Sequence, residues 1–416
     1  MRRCWTLVMV SSLVVACGVE SQGESSGGLY LEDSAGPVRG FAVVGGDFSS
    51  TTISLLGVDG QVQSSSFISS ASTDPGLSAA LGGDVVLPST TQRGGELVLL
   101  DRLPGSVLTW VAIETAEVRA QLSVATGFSS NPHDYVPFSP TQAFVPRFEP
   151  NLMGGAEPFD GGNDVLVVNP ATLTIDDRID LMPALAGEAA GFYPRAERAL
   201  MAGGKLRVLA VGLNADFTDS ADSRLITIDP MTHAIDSVLV LAGLKACSSL
   251  RPSPDGSALA IACNGAFGTD PALGFPDSGV VLVDVADEPV ESARFTADTL
   301  GVGPINQAAW LDDTHLALLT FGRFSADGTL AEADDEARTL DLDAGAASEP
   351  WLTTGPFSLG DVACALDAGA CLVADAETDG GVVHTLVVGA AGEVMLTGSV
   401  KPDVATGLPP RSLGTF

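Results

Sequence analysis

The 416-residue sequence predicts an all-β chain folded as a seven-bladed β-propeller, with the first blade completed by the C-terminal strand. Three observations carry this. Residues 111–118 (VAIETAEV), 168–175 (VNPATLTI) and 228–235 (IDPMTHAI) repeat one pattern: an apolar strand end, a turn with Thr at its fifth place (Thr115, Thr172, Thr232), and a second alternating strand. The copies are 57 and 60 residues apart, and self-similarity at a near-constant period marks a repeat architecture. Short runs rich in Val, Ile, Leu and Thr recur at 52–56, 96–100, 164–168, 224–228, 279–283, 337–342 and 382–388. They are bounded by Gly, Pro, Asp or Asn, as strands are. Residues 408–416 lie beyond the last run, where a late strand can close a ring.

The N-terminus is set aside before the fold. Arg2 and Arg3 precede an apolar run at 4–16 that ends at Cys17. That run is too short to span a bilayer and reads as a secretory signal. Residues 13–17 (LVVAC) resemble the bacterial lipobox, which implies that Cys17 is lipidated and becomes the first residue after removal of 1–16. Residues 17–39 then form the lipidated cysteine and a Gly/Ser/Glu-rich flexible tether, and 40–416 a single domain. Gly18 after the cysteine resembles the pattern of outer-membrane sorting. The expected address is the cell envelope, with contact to the membrane through the acyl anchor only.

Four strands around each run give seven units, at 40–69, 79–124, 131–181, 190–241, 244–293, 305–354 and 358–400. The first holds three good strands, so 408–416 supplies its fourth. Cys247 and Cys263 are symmetric about Asp255 in 253–256 (SPDG), which suits a type I turn with left-handed Gly256 and a three-residue hairpin loop. Cys364 and Cys371 are symmetric about the Asp367–Ala368 bond. Both pairs are expected to form disulfides, each closing a hairpin in an exported protein.

Residues 251–261 (RPSPDGSALAI) and 228–232 (IDPMT) resemble the "SPDG…lav" and "vDp.T" elements of YVTN-type bacterial propeller repeats. The resemblance covers units two to five, and the Tyr-Val-Thr-Asn tetrad itself is absent. It implies an extracytoplasmic propeller. A pair of β-sandwiches is the competing fold, but it gives the repeats no reason to keep a beat near 60 residues.

Net charge is −32 in the full sequence and more negative once the leader's arginines are gone. Such a surface disfavours nucleic acid and favours cations or basic partners. In a four-strand meander the A–B and C–D turns share one side of the disc, while the B–C loops and blade-to-blade links share the other. The B–C loops of units three to six are long and acidic. They carry Glu157, Asp160 and Asp164; Asp216, Asp219 and Asp222; Asp270 and Asp277; and Asp327, Glu332, Asp334, Asp335 and Glu336. Asp216, Asp219 and Asp222 offer oxygens to a Ca²⁺ ion, without the full spacing of a calcium loop. His133 and Asp134 offer a ligand or base pair at the channel mouth, against the plainer reading of a packed histidine and a turn cap. Arg195, Asn306, Asp361 and Arg411 occupy equivalent places, with Asp84 and Ser249.

The expected function is that of a binding or scaffold protein whose acidic face takes a cation, a glycan or a basic protein. The alternative is a metal-dependent hydrolase or lyase with His133, Asp134, Asn306 and Asp361 on the axis. A quinone-cofactor dehydrogenase calls for more tryptophan than Trp110, Trp310 and Trp351. No nucleophile elbow or phosphate loop is present.

Overall fold

The computed structural model describes residues 37–266, 271–325, 327–377, 380–389 and 392–416; the leader, Cys17, most of the tether and Asp270 lie outside them. The fold is a seven-bladed β-propeller. Blade 1 runs from the axis outward as Pro410–Thr415, Gly40–Gly46, Thr51–Gly57 and Val62–Ser69, so the C-terminal strand is its innermost member. The innermost strands of blades 2 to 7 are Val85–Val86, Val136–Ser139, Ala196–Ala202, Cys247–Pro252, Ile305–Trp310 and Leu359–Ala365, each followed outward by its chain successors.

Burial follows position within the blade. The second and third strands are covered on both faces by neighbouring blades, so Asp164–Asn169 (DVLVVN) and Ala258–Cys263 (ALAIAC) are buried almost throughout. Such strands read as continuous apolar runs. Outermost strands keep one face in water, and Ile235–Val240 alternates half-buried and exposed residues. The core comprises seven apolar clusters, one between each pair of adjacent blades. The cluster joining blades 1 and 7 holds Phe41, Leu56 and Leu413 against Leu372 and Val383, which closes the ring.

The repeated pattern is the C–D turn. Its second residue is Asn169 or Asp229, whose Oδ1 accepts from Ala171 and Thr172, or from Met231 and Thr232. Its sixth residue is left-handed in all three copies, at Ala116, Leu173 and His233. Residues 340–346 of blade 6 make a fourth such turn, with Ala344 donating to Asp341 and Gly345 at the left-handed place. Its lack of Thr hid it from the sequence pattern.

Both disulfides are formed as the spacing predicts, Cys247–Cys263 and Cys364–Cys371. The first hairpin corrects its expected loop. Ser253 donates to the Ala258 carbonyl, so the loop is one residue longer than three. An extra residue in the inner strand, Ser248, offsets this and brings Cys247 opposite Cys263. Similar bulges place Glu197, Asn306, Gly360 and Arg411 at the same level of other inner strands.

Candidate functional site

Strand direction sorts every connection onto one of two faces. The loop face carries the B–C loops and blade-to-blade links, including 147–163, 211–223, 264–278 and 321–334. The turn face carries the A–B and C–D turns. Gly40–Gly46 runs from the turn face, where Arg39 donates to the Phe416 carbonyl.

Many loop-face carboxylates are consumed by the loops themselves. Arg147, fully buried, makes a two-pronged bond to Asp164 at 2.7 Å on each arm. It also donates to the Val124 and Phe159 carbonyls and to Thr126 Oγ1. Asp160 accepts from the N–H groups of Gly155, Ala156 and Glu157, which hold its pKa below the usual carboxylate range. Asp335 is buried and accepts from Gly322, Phe357, Ser358 and Leu359; burial outweighs those bonds and raises its pKa. Asp216 accepts from Thr218 and Asp219 from Ser220. Among the described residues no group of three or more His, Cys, Asp or Glu side chains is arranged to hold a metal ion, and the Ca²⁺ expectation at Asp216, Asp219 and Asp222 gains no geometric support.

What the sequence reading missed on this face is apolar. Phe48, Leu103, Met153, Phe217, Leu273 and Leu330 are all exposed there, one from the B–C loop of each of blades 1 to 6. Met153 is 88% exposed. Arginines brace two of the rings from beneath: Arg195 lies 4.0 Å from the Phe217 centroid and Arg411 lies 4.2 Å from that of Phe48. The signal was available as single large apolar residues inside polar loops, but no periodicity links them.

Of the channel-mouth residues named from sequence, Arg195 is buried and ion-paired with Glu149 at 2.7 Å. Arg411 donates to the Gly46 carbonyl. Asn306 sits at a bulge with its carbonyl bonded by Ser248. Arg195 and Arg411 therefore fix loops rather than face a common ligand. His133 stacks on Phe148, with centroids 4.4 Å apart, and lies 3.0 Å from Glu197. Burial holds its pKa below the usual imidazole value against the pull of Glu197. Asp134 accepts from the N–H groups of Ser89, Tyr135 and Ala199, tying blade 2 to blades 3 and 4; its burial raises its pKa. His133 and Asp134 thus turn to different partners.

Asp361 does reach the axis, accepting from Val362, Leu413 and, at 3.4 Å, Ser412. It meets Arg251, which crosses from blade 5: Nη2 lies 3.5 Å from Asp361 Oδ1 and Nη1 donates to the Ser89 carbonyl. Arg251 was overlooked because its place at the end of an SPDG hairpin suggested only a turn. Above this crossbar, on the turn face, lies an axial cavity of about 1030 Å³. All seven blades line it, and Trp110, Tyr135 and Trp310 supply its aromatic surface. One side is the loop 87–95 between the first two strands of blade 2, far longer than the short turns expected there. Thr91 and Gln92 fasten that loop to Thr415.

No protein-family pattern and no curated sequence matches the chain. Among solved structures it is similar to a protein from Lactobacillus plantarum (12% identity, TM-score 0.53, covering 91% of this chain and 99% of that one). It is similar also to the periplasmic gluconolactonase PpgL of Pseudomonas aeruginosa (12%, 0.51, 90% and 98%). A third is the β-propeller domain of Cps50 (Swd1) from Myceliophteria thermophila (12%, 0.53, 83% and 92%). At these identities the likeness is one of fold.

Proposed function

We propose that the protein is an exported, lipid-anchored binding propeller that docks a basic, apolar-tipped protein surface on its loop face. The observation that carries this reading is the set of exposed apolar side chains, at least one on the B–C loop of each of six successive blades, set among exposed carboxylates. A rigid disc cannot fold these residues away, and exposed apolar groups gathered on one surface mark interaction sites. Exposed Asp216, Asp219 and Asp334 lie around them, whereas Arg147, Arg195 and Arg224 of the same face are buried and paired, and Arg323 is neutralised by Glu332. A partner carrying Lys or Arg around apolar anchors complements that pattern and is steered toward it. The two disulfides support export.

The test has two arms. Fatty-acid labelling of the chain expressed in a bacterial host is expected to disappear with Cys17→Ser. An immobilised amphipathic Lys/Leu peptide is expected to bind the protein, and an acidic Glu/Leu peptide is not. Affinity should fall at least tenfold when Phe217 and Met153 both become Ser, and again between low and physiological salt. Equal binding of both peptides, or indifference to the double substitution, overturns the docking surface. Persistent labelling of the Cys17 variant overturns the anchor.

A further inference from the structure

We infer that the axial cavity of the turn face is a second binding site, for a small organic carboxylate, with Arg251 as the group that receives the carboxylate. This site lies on the opposite end of the axis from the docking surface and does not depend on it. Its volume, about 1030 Å³, matches the upper end of small-molecule sites, roughly 300–1,000 Å³.

The chemistry follows from what the crossbar leaves unused. A guanidinium has five N–H donors. Arg251 gives one to the Ser89 carbonyl and one, at the long distance of 3.5 Å, to Asp361. The remaining three take no protein acceptor among the described residues, while the side chain lines the cavity. The nearby carboxylates are already engaged elsewhere. Asp134 accepts from three backbone N–H groups and Asp361 from two, with Ser412 as a third donor. The Arg251 side chain is half-buried, about 20% exposed, and a cation with open donors at a cavity wall is matched by a carboxylate, which can bond two of them side by side.

The walls hold the anchor in place. Trp110 and Tyr135 meet edge to face at 5.9 Å, and Arg119 lies 5.3 Å over the Trp110 ring. Trp310 is fixed by its Nε1–H bond to the Arg251 carbonyl, so wall and anchor move as one. The three rings are nearly covered, 2–5% exposed, and pack into the clusters between blades, so they stiffen the wall behind the anchor. Rim charges are screened beyond about 8 Å at physiological salt, so the overall acidity does not forbid an anion at this depth.

Tryptophan emission reads the site directly, since Trp110 and Trp310 line the cavity and Trp351 does not. The full chain is titrated with D-glucuronate and with benzoate, and with their neutral counterparts D-glucose and benzyl alcohol. A saturable change with at least one carboxylate, at least tenfold weaker with its neutral counterpart and at least tenfold weaker in Arg251→Gln, is expected. No saturable response to either carboxylate, an equal response to the neutral compounds, or an unaltered affinity in Arg251→Gln overturns the site. If Arg251→Gln does not fold, phenylglyoxal labelling of the wild-type protein decides. The bound carboxylate should protect Arg251 while half-exposed Arg323, on the opposite face, reacts unchanged, and equal labelling of Arg251 with and without it overturns the proposal.

Discussion

Arg147 and Asp164 hold the root of the blade 3 loop, and their chemistry makes the consequence of losing either one unequal to the gain from having both. Each is fully buried, and together they bond in two parallel arms of 2.7 Å. A buried pair of this kind contributes little net stability relative to an apolar pair, because both charges leave water. Removing one partner strands the other. Asp164→Ala leaves the Arg147 guanidinium with two carbonyls and one hydroxyl but no counter-charge nearer than its loop. The expected cost is about 3–5 kcal/mol, read as a lower urea midpoint with an unchanged slope. Replacing both with Met and Leu should restore most of it, because no uncompensated charge remains. A single Asp164→Ala variant as stable as wild type would show that water reaches the site. The sequence placed Asp164 in an acidic rim; only the fold brings Arg147 from the preceding strand to it.

Elements were legible to the degree that neighbouring blades covered them. Third strands such as Arg224–Ile228 and Gly279–Asp284 stand out as apolar runs because both faces are buried. Inner strands face the channel and carry bulges, so their polar residues shift by one or two places. Sequence equivalence named Arg195, Ser249 and Asp361 where the bulges fall at Glu197, Ser248 and Gly360. The loop 87–95 gave no signal, since its fastenings to Asp134, Arg251 and Thr415 cross from other blades. The disulfides were legible because hairpin pairing is local, even with the compensating bulge. They also differ in predicted worth. On the chain-entropy account, closing 16 residues at Cys247–Cys263 stabilises by about 3 kcal/mol and closing 7 at Cys364–Cys371 by about 2. Paired Cys→Ser substitutions are expected to lower stability in that order. Equal losses, or none, would mean that the hairpins are already held by their ladders.

At the scale of the molecule the seven interfaces share one dependency, which is that the first and last strands of the described chain meet. Pro410–Thr415 pairs with Gly40–Gly46, aligning Val43 with Leu413, and the chain ends are tied by Arg39 to the Phe416 carbonyl. Leu413 packs into the cluster between blades 7 and 1, while Phe416 packs into that between blades 1 and 2. The late strand was legible from the shortage of one strand in the first unit, but its consequence for both axial faces was not. Leu413, Gly414 and Thr415 also line the cavity, and Arg411 braces the exposed ring of Phe48 on the loop face. Removing 410–416 therefore does more than expose a strand edge. It takes Leu413 and Phe416 out of the two flanking clusters, where burial of a large apolar side chain contributes about 1.5–3 kcal/mol, and frees the loop that Thr415 holds. A chain ending at residue 409 is expected to lose its single cooperative melting transition and to elute as aggregate, because an unpaired apolar edge invites association. The milder Leu413→Ala keeps the strand and should cost about 2–5 kcal/mol while leaving the protein monomeric. Circular dichroism melting with light scattering on the eluted peak separates these outcomes. A truncated chain that melts cooperatively within a few degrees of the full one would mean that the ring stands without its closing strand.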